Sequence, residues 1–109
     1  MGTERFEYES PVKIALDMIC GTWKAVILQE LRTGTLRYSV LKRSIPRISQ
    51  NTLTKQLREM EEDGLVNRIS YREIPPRVEY SLTSFGEKAE PVLEALNSWG
   101  TDYFKQLEH

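Results

Sequence analysis

The chain has one cysteine, one histidine and no long apolar run, and each scarcity removes a class of protein. A lone cysteine cannot close an internal disulfide, and one histidine beside one cysteine leaves a zinc site short of ligands. No window approaches the ~18 uninterrupted apolar residues of a membrane span. Met1-Gly2-Thr3-Glu4-Arg5 lacks the apolar centre of a signal peptide. A cytoplasmic location with no membrane partner is expected. Catalytic apparatus is equally scarce: there is no nucleophile–base–acid arrangement, no phosphate-binding glycine loop and no metal cluster. Glu61-Glu62-Asp63 is a run of carboxylates, but beside Gly64 it reads as a solvated helix end. No enzyme, metal or cofactor is expected. The histidine is terminal, and Leu107-Glu108-His109 looks like the start of a vector-encoded affinity tag.

What is present describes one globular domain: 109 residues, 39% apolar and 28% charged, without repeats or low-complexity stretches. Net charge is −1, yet the charge is segregated. Arg32, Arg37, Lys42, Arg43, Arg47, Lys55 and Arg58 make 32–58 a +7 stretch with no acidic residue, so the rest carries −8 against the total of −1. Gathered on one face, such a block is an electrostatic footprint for a polyanion.

Periodicity divides the chain. Residues 1–9 read as a flexible arm with Phe6 and Tyr8 available for docking, and 10–106 as one domain. Ser10-Pro11 starts a helix reaching Ile19. Cys20-Gly21-Thr22 interrupts, and Thr22 can cap a second helix with Trp23, Ile27 and Leu31 on a buried face that ends at Thr33-Gly34. Ser39 opens a short third helix stopped by Pro46. Ser49 caps a fourth helix to Asp63, where Gly64 supplies a left-handed cap and Leu65 folds back on Met60.

From Leu65 the period becomes two. Leu65, Asn67, Ile69 and Tyr71 share one side of a strand, and Val78, Tyr80 and Leu82 alternate with Arg77, Glu79 and Ser81 in a second. Glu73-Ile74-Pro75-Pro76 connects them as a hairpin. Thr83 caps a long helical region, 84–106, with Pro91 implying a kink or break.

Helix, helix, helix, turn, helix, hairpin is an α+β, mostly α, order: a winged helix-turn-helix, with 39–63 as the helix-turn-helix and 65–82 as a two-stranded wing hairpin. On the fourth helix Leu53, Leu57 and Met60 fall within one sector and face the core. Ser49, Gln50, Asn51, Thr52 and Thr54 begin the helix as candidates for base readout: Gln and Asn can bond adenine bidentately and Thr can touch a thymine methyl. Arg37, Lys42, Arg43, Arg47, Lys55 and Arg58 are candidates for the DNA backbone, and Arg72 and Arg77 flank the wing loop. Glu59, Glu61, Glu62 and Asp63 crowd the far end, which must point away from phosphates.

Several runs resemble motifs of the HxlR-type winged helix-turn-helix regulators: Gly21-Thr22-Trp23-Lys24 through Ile27-Leu28, Leu36-Arg37-Tyr38-Ser39, and Ile48-Ser49-Gln50-Asn51-Thr52-Leu53. So do Leu57 to Val66 and the more specific Pro75-Pro76-Arg77-Val78-Glu79-Tyr80-Ser81-Leu82-Thr83. The resemblance spans roughly residues 10–100. It implies a prokaryotic, cytoplasmic, homodimeric transcription factor whose fourth helix reads DNA. Many such regulators carry a sensing cysteine just before the Pro-Val that starts the first helix; this chain has Ser10, so that switch is not expected. Cys20 reads as a small buried residue.

In the C-terminal region Ala89, Val92, Leu96, Trp99 and Tyr103 recur at heptad-like spacing, a dimerisation seam for a partner helix. A homodimer would present two reading helices to half-sites ~34 Å apart. The function expected is therefore a sequence-specific double-stranded DNA-binding regulator, a homodimeric repressor acting by promoter occupancy. A winged helix that binds protein instead is the alternative, since fold does not dictate partner; such a module would not need an acid-free basic block. Trp23, Trp99 and Tyr103 leave room for a small-molecule effector at the dimer interface, although core and interface packing explain them adequately.

Overall fold

Ser10 opens the first element in the computed structural model, which describes residues 10–19 and 21–108; the expected arm with Phe6 and Tyr8, Cys20 and His109 lie outside the described residues. The Ser10 hydroxyl accepts the Lys13 N–H at 3.1 Å and starts α1 (Pro11–Ile19). α2 (Lys24–Leu31) begins one residue later than Thr22 capping would place it. Trp23 holds the cap position without a side-chain hydrogen bond, and it packs on the core. The partial burial of a large indole offsets the loss of one cap bond of ~1 kcal/mol.

β1 (Leu36–Arg37), a two-residue strand the periodicity does not announce, leads into α3 (Tyr38–Ser44), which starts one residue before Ser39. α4 (Gln50–Glu62) follows the sequence expectation closely. Ser49 Oγ accepts the Thr52 N–H at 3.1 Å. At the other end Gly64 has φ +78°, while Leu65 N–H reaches Met60 O at 2.9 Å and Gly64 N–H reaches Glu61 O at 3.0 Å. That pair of bonds satisfies carbonyls the helix would otherwise leave open, and it buries Leu65 beside Met60.

β2 (Val66–Tyr71) and β3 (Arg77–Leu82) pair antiparallel from Val66↔Leu82 to Tyr71↔Arg77, and β1 joins the far side of β3 through Leu36↔Tyr80. The sheet is three-stranded in the order β1-β3-β2, so the two-stranded wing grows out of a wider sheet. The register corrects the expected inner face of β2. Leu65 is buried as part of the helix cap, before pairing begins, and the strand turns Val66 to the core instead. A shift of one residue exchanges faces along the whole strand. Arg68 and Ser70 therefore share the side of Val78 and Tyr80, while Asn67, Ile69 and Tyr71 lie outside.

Thr83 Oγ1 accepts the Gly86 N–H at 2.9 Å to start α5 (Ser84–Glu87), a single turn. After a break at Lys88-Ala89 comes α6 (Glu90–Leu107), with Pro91 in its first turn where a missing N–H costs nothing. The expected 84–106 helical region, with its kink or break, is thus two helices, the break falling at Lys88-Ala89 ahead of Pro91 and the second helix 18 residues long and running through Leu107. The core is contributed by α2, α3, α4 and the sheet: Ile27, Leu28, Leu31, Leu41, Ile48, Leu53, Leu57 and Met60 are fully buried. Each contributes roughly 1.5–3 kcal/mol by leaving water. α1 buries no residue completely and α6 only Leu93. The terminal helices add only Leu93 to this core and otherwise lie against it.

Candidate nucleic-acid interface

α4 is held by its apolar side and presents a wet one. Leu53, Leu57 and Met60 are buried, whereas Gln50, Asn51, Thr54, Lys55 and Arg58 are exposed. The Ser49 hydroxyl donates to Thr52 Oγ1 at 2.9 Å besides accepting the Thr52 N–H, so both residues order the first turn. Tyr38, from α3, donates its hydroxyl to the Gln50 carbonyl at 3.3 Å and lies 3.2 Å from Thr54 Oγ1. A phenol has one proton, so with that proton on Gln50 O the Thr54 hydroxyl donates to Tyr38. This fastening of the two helices of the turn is not legible in the sequence, where Tyr38 is one aromatic among several.

The acidic end of α4 is partly neutralised. Lys24 of α2 reaches Glu59 at 2.9 Å, and that hydrogen bond, more than the accompanying charge attraction, holds the Glu59 carboxyl below its ordinary value, with Lys55 adding to the effect. Glu61, Glu62 and Asp63 are exposed.

The basic residues divide into two groups. Arg32 turns to the C-terminal helix, pairing with Glu90 at 3.1 Å and Glu94 at 3.8 Å. Arg37, Arg43, Arg47 and Arg58 are exposed, Lys42 is half-buried, and none of these five forms an ion pair among the described residues. The same holds for Arg68 and Arg72 on the wing. A groove of about 890 Å³ lies between α4 and the wing, lined by Tyr38, Thr54, Arg58 and Glu61 and by the sheet residues Arg37, Arg68, Arg77 and Tyr80 with Glu73 and Pro75 of the loop. The Tyr38 and Tyr80 rings meet in it at 6.5 Å between centroids. Arg68 had no place in the sequence reading because the one-residue shift of β2 concealed which side it shares.

Arg72 and Arg77 differ. Arg72 is exposed, whereas Arg77 is held by Glu73 at 3.1 Å and faces Glu79 at 3.6 Å. Of the expected dimerisation residues, Val92, Leu96, Trp99 and Tyr103 are 47%, 41%, 74% and 59% exposed on α6. A second depression, of about 490 Å³, lies by Leu31, Leu82 and Glu90; Trp23, Trp99 and Tyr103 line neither it nor the groove. Among the described residues no helix is long and apolar enough to cross a membrane.

A capped helix with a polar exposed side, a preceding short helix fastened across a tight turn, and a hairpin standing beside both define a winged helix-turn-helix protein. The chain belongs to the HxlR-like helix-turn-helix family, whose profile matches residues 18–108, and it is a transcriptional regulator of that class. It is 47% identical over 103 residues to an HTH-type transcriptional regulator of Methanothermobacter thermautotrophicus, covering 94% of this chain and 79% of that protein. It is 44% identical over 104 residues to the HTH-type regulator YtcD of Bacillus subtilis, covering 95% and 82%. Among solved structures it is similar to a regulator named YtcD (TM-score 0.83, 46% identity, 89% of this chain and 99% of that one). It is also similar to the reduced form of the redox regulator HypR (TM-score 0.85, 43% identity, 91% and 98%).

Proposed function

We propose that the protein is a homodimeric, cytoplasmic regulator that binds duplex DNA sequence-specifically and represses by occupying a promoter. The observation that carries this reading is the exposed side of α4. Its early turns hold Gln50, Asn51 and Thr54, suited to base edges, and its carboxylates gather at the opposite end. A reading helix enters the major groove by its N-terminal turns, so this polarity keeps acids from phosphates. Ser49 and Thr52 complete the reading surface by fixing the first turn. Arg37, Lys42, Arg43, Arg47, Lys55 and Arg58 hold the backbone, with Arg68 and Arg72 from the wing.

Dimerisation is proposed through Val92, Leu96, Trp99 and Tyr103 of α6. Val12 and Leu16 of α1, 69% and 54% exposed, extend the apolar surface that a second copy would cover. No thiol switch is assigned to the start of α1, where the Ser10 hydroxyl serves as a helix cap.

The test is selection of bound sequences from a random duplex pool at two salt concentrations. A two-fold-symmetric motif with half-sites ~34 Å apart is expected. With about 6–10 phosphate contacts, affinity should fall ~10³–10⁵-fold between about 50 and 200 mM salt. A pool that enriches no motif at either concentration would remove the reading.

A further inference from the structure

β3 anchors the wing to the core through Val78, Tyr80 and Leu82, but β2 is exposed from Asn67 to Ser70. Past the end of β1 the hairpin is only two strands wide, an arrangement that is marginal in water. At the neck of this hairpin, however, four side chains bind one another. Tyr71 stands opposite Arg77 in the register, and Glu79 lies diagonally beside it. The Arg77 guanidinium carbon sits 4.0 Å from the centre of the Tyr71 ring. Arg77 pairs with Glu73 at 3.1 Å and faces Glu79 at 3.6 Å, and the Tyr71 hydroxyl donates to Glu79 at 3.1 Å. The Arg77 Nε is buried without a hydrogen-bond partner of its own. Two carboxylates thus offset one cation, and moving that cation to a phosphate would leave both carboxylates facing the duplex uncompensated.

We infer that Arg77 is a positioning residue for the wing and not a phosphate contact: with Tyr71, Glu73 and Glu79 it clamps the hairpin neck, so that Arg68 and Arg72 meet DNA from a rigid support. The inference rests on the proposal above that the wing meets DNA. The clamp requires a planar cation that stacks on a ring and forks to two carboxylates, which lysine cannot supply.

The sign of one substitution separates clamp from contact. If Arg77 met a phosphate, Glu79→Gln would free it, remove a negative charge beside the duplex and tighten binding. A clamp reverses this: Glu79→Gln and Arg77→Lys should each weaken binding by about three- to tenfold. Arg77→Ala should leave the slope of log affinity against log salt unchanged, whereas Arg72→Ala, which removes one contact from each subunit of the dimer, should lower it by about 1.8. Amide hydrogen exchange across residues 69–79 of the free protein should quicken in Arg77→Lys and Glu79→Gln but not in Arg72→Ala. Tighter binding by Glu79→Gln, or a lowered slope in Arg77→Ala, would overturn the clamp. Where the wild type binds no duplex, the functional proposal fails and exchange alone decides: unchanged rates in Arg77→Lys and Glu79→Gln overturn the clamp as well.

Discussion

At Gly86 a single methyl group would collide with the backbone carbonyl oxygen of Leu65, and backbone cannot step aside. Gly86→Ala should therefore cost about 1–3 kcal/mol, the range of overpacking, measured as a shift in the urea midpoint. Gly64→Ala has open space around the added carbon but a φ of +78°, and should cost about 1–2 kcal/mol. Two titrations carry opposite signs. Hydrogen bonding from Lys24 lowers the Glu59 carboxyl, so its contribution to stability is present above the ordinary value of 4.5 and is lost as pH falls through the lowered value. Glu59→Gln should flatten the acid limb of stability against pH. The hydrogen bond to Glu79 raises the Tyr71 phenol, so that contribution is present below pH 10.0 and is lost as pH rises through the raised value. Spectrophotometric titration should show one phenol moving back toward its ordinary value in Glu79→Gln.

At the scale of the element, α4 joins stability to recognition. Its cap is a serine hydroxyl, and Ser49→Ala should cost ~1 kcal/mol in thermal unfolding. Apart from Thr54, which meets the Tyr38 hydroxyl, the exposed residues bear no core load, so their replacement should change binding and leave unfolding alone. Gln50→Ala or Asn51→Ala should alter which base pairs are preferred, at ~1–3 kcal/mol per lost bidentate contact. Lys55→Ala or Arg43→Ala should weaken all sequences alike and reduce the salt slope. Binding selections with each variant distinguish the two groups. The far end of α4 is fastened too: Thr83 donates to Gly64 O at 2.6 Å and lies 3.2 Å from Leu65 O, joining the helix cap to the start of the C-terminal elements.

For the whole molecule, the terminal helices pose the larger question. α6 touches the core through Leu93, and Arg32 ties its first turns to α2, while Trp99 and Tyr103 face outward. In the proposed dimer, Trp99→Glu or Leu96→Asp should produce monomers in sedimentation equilibrium with unchanged circular dichroism, and should weaken binding to a two-half-site duplex more than to a single half-site. Leu93→Ala should instead destabilise the fold by about 2–5 kcal/mol, as a core truncation does. A dimer that survives both surface charges would place the two-fold axis elsewhere.

Chain order, the α4 boundaries and the division of α4 into a buried and a wet side follow from local physics: serine caps, a left-handed glycine and a 3.6-residue period act within a few residues. The polarity of the reading helix is equally a matter of sequence, since its acids and amides are neighbours along one axis. Tertiary structure alone decided which face of β2 turns inward, because Leu65 is claimed by a helix cap before strand pairing starts. It decided the third strand, since two residues at Leu36–Arg37 acquire strand geometry only by pairing with β3. It also separated cations that look alike in the chain: Arg32 is taken up by the C-terminal helix and Arg77 by the wing's own carboxylates, while Arg68 shares a groove with Arg58. Charge is written in the sequence, but which partner meets each charge depends on groups far apart along the chain.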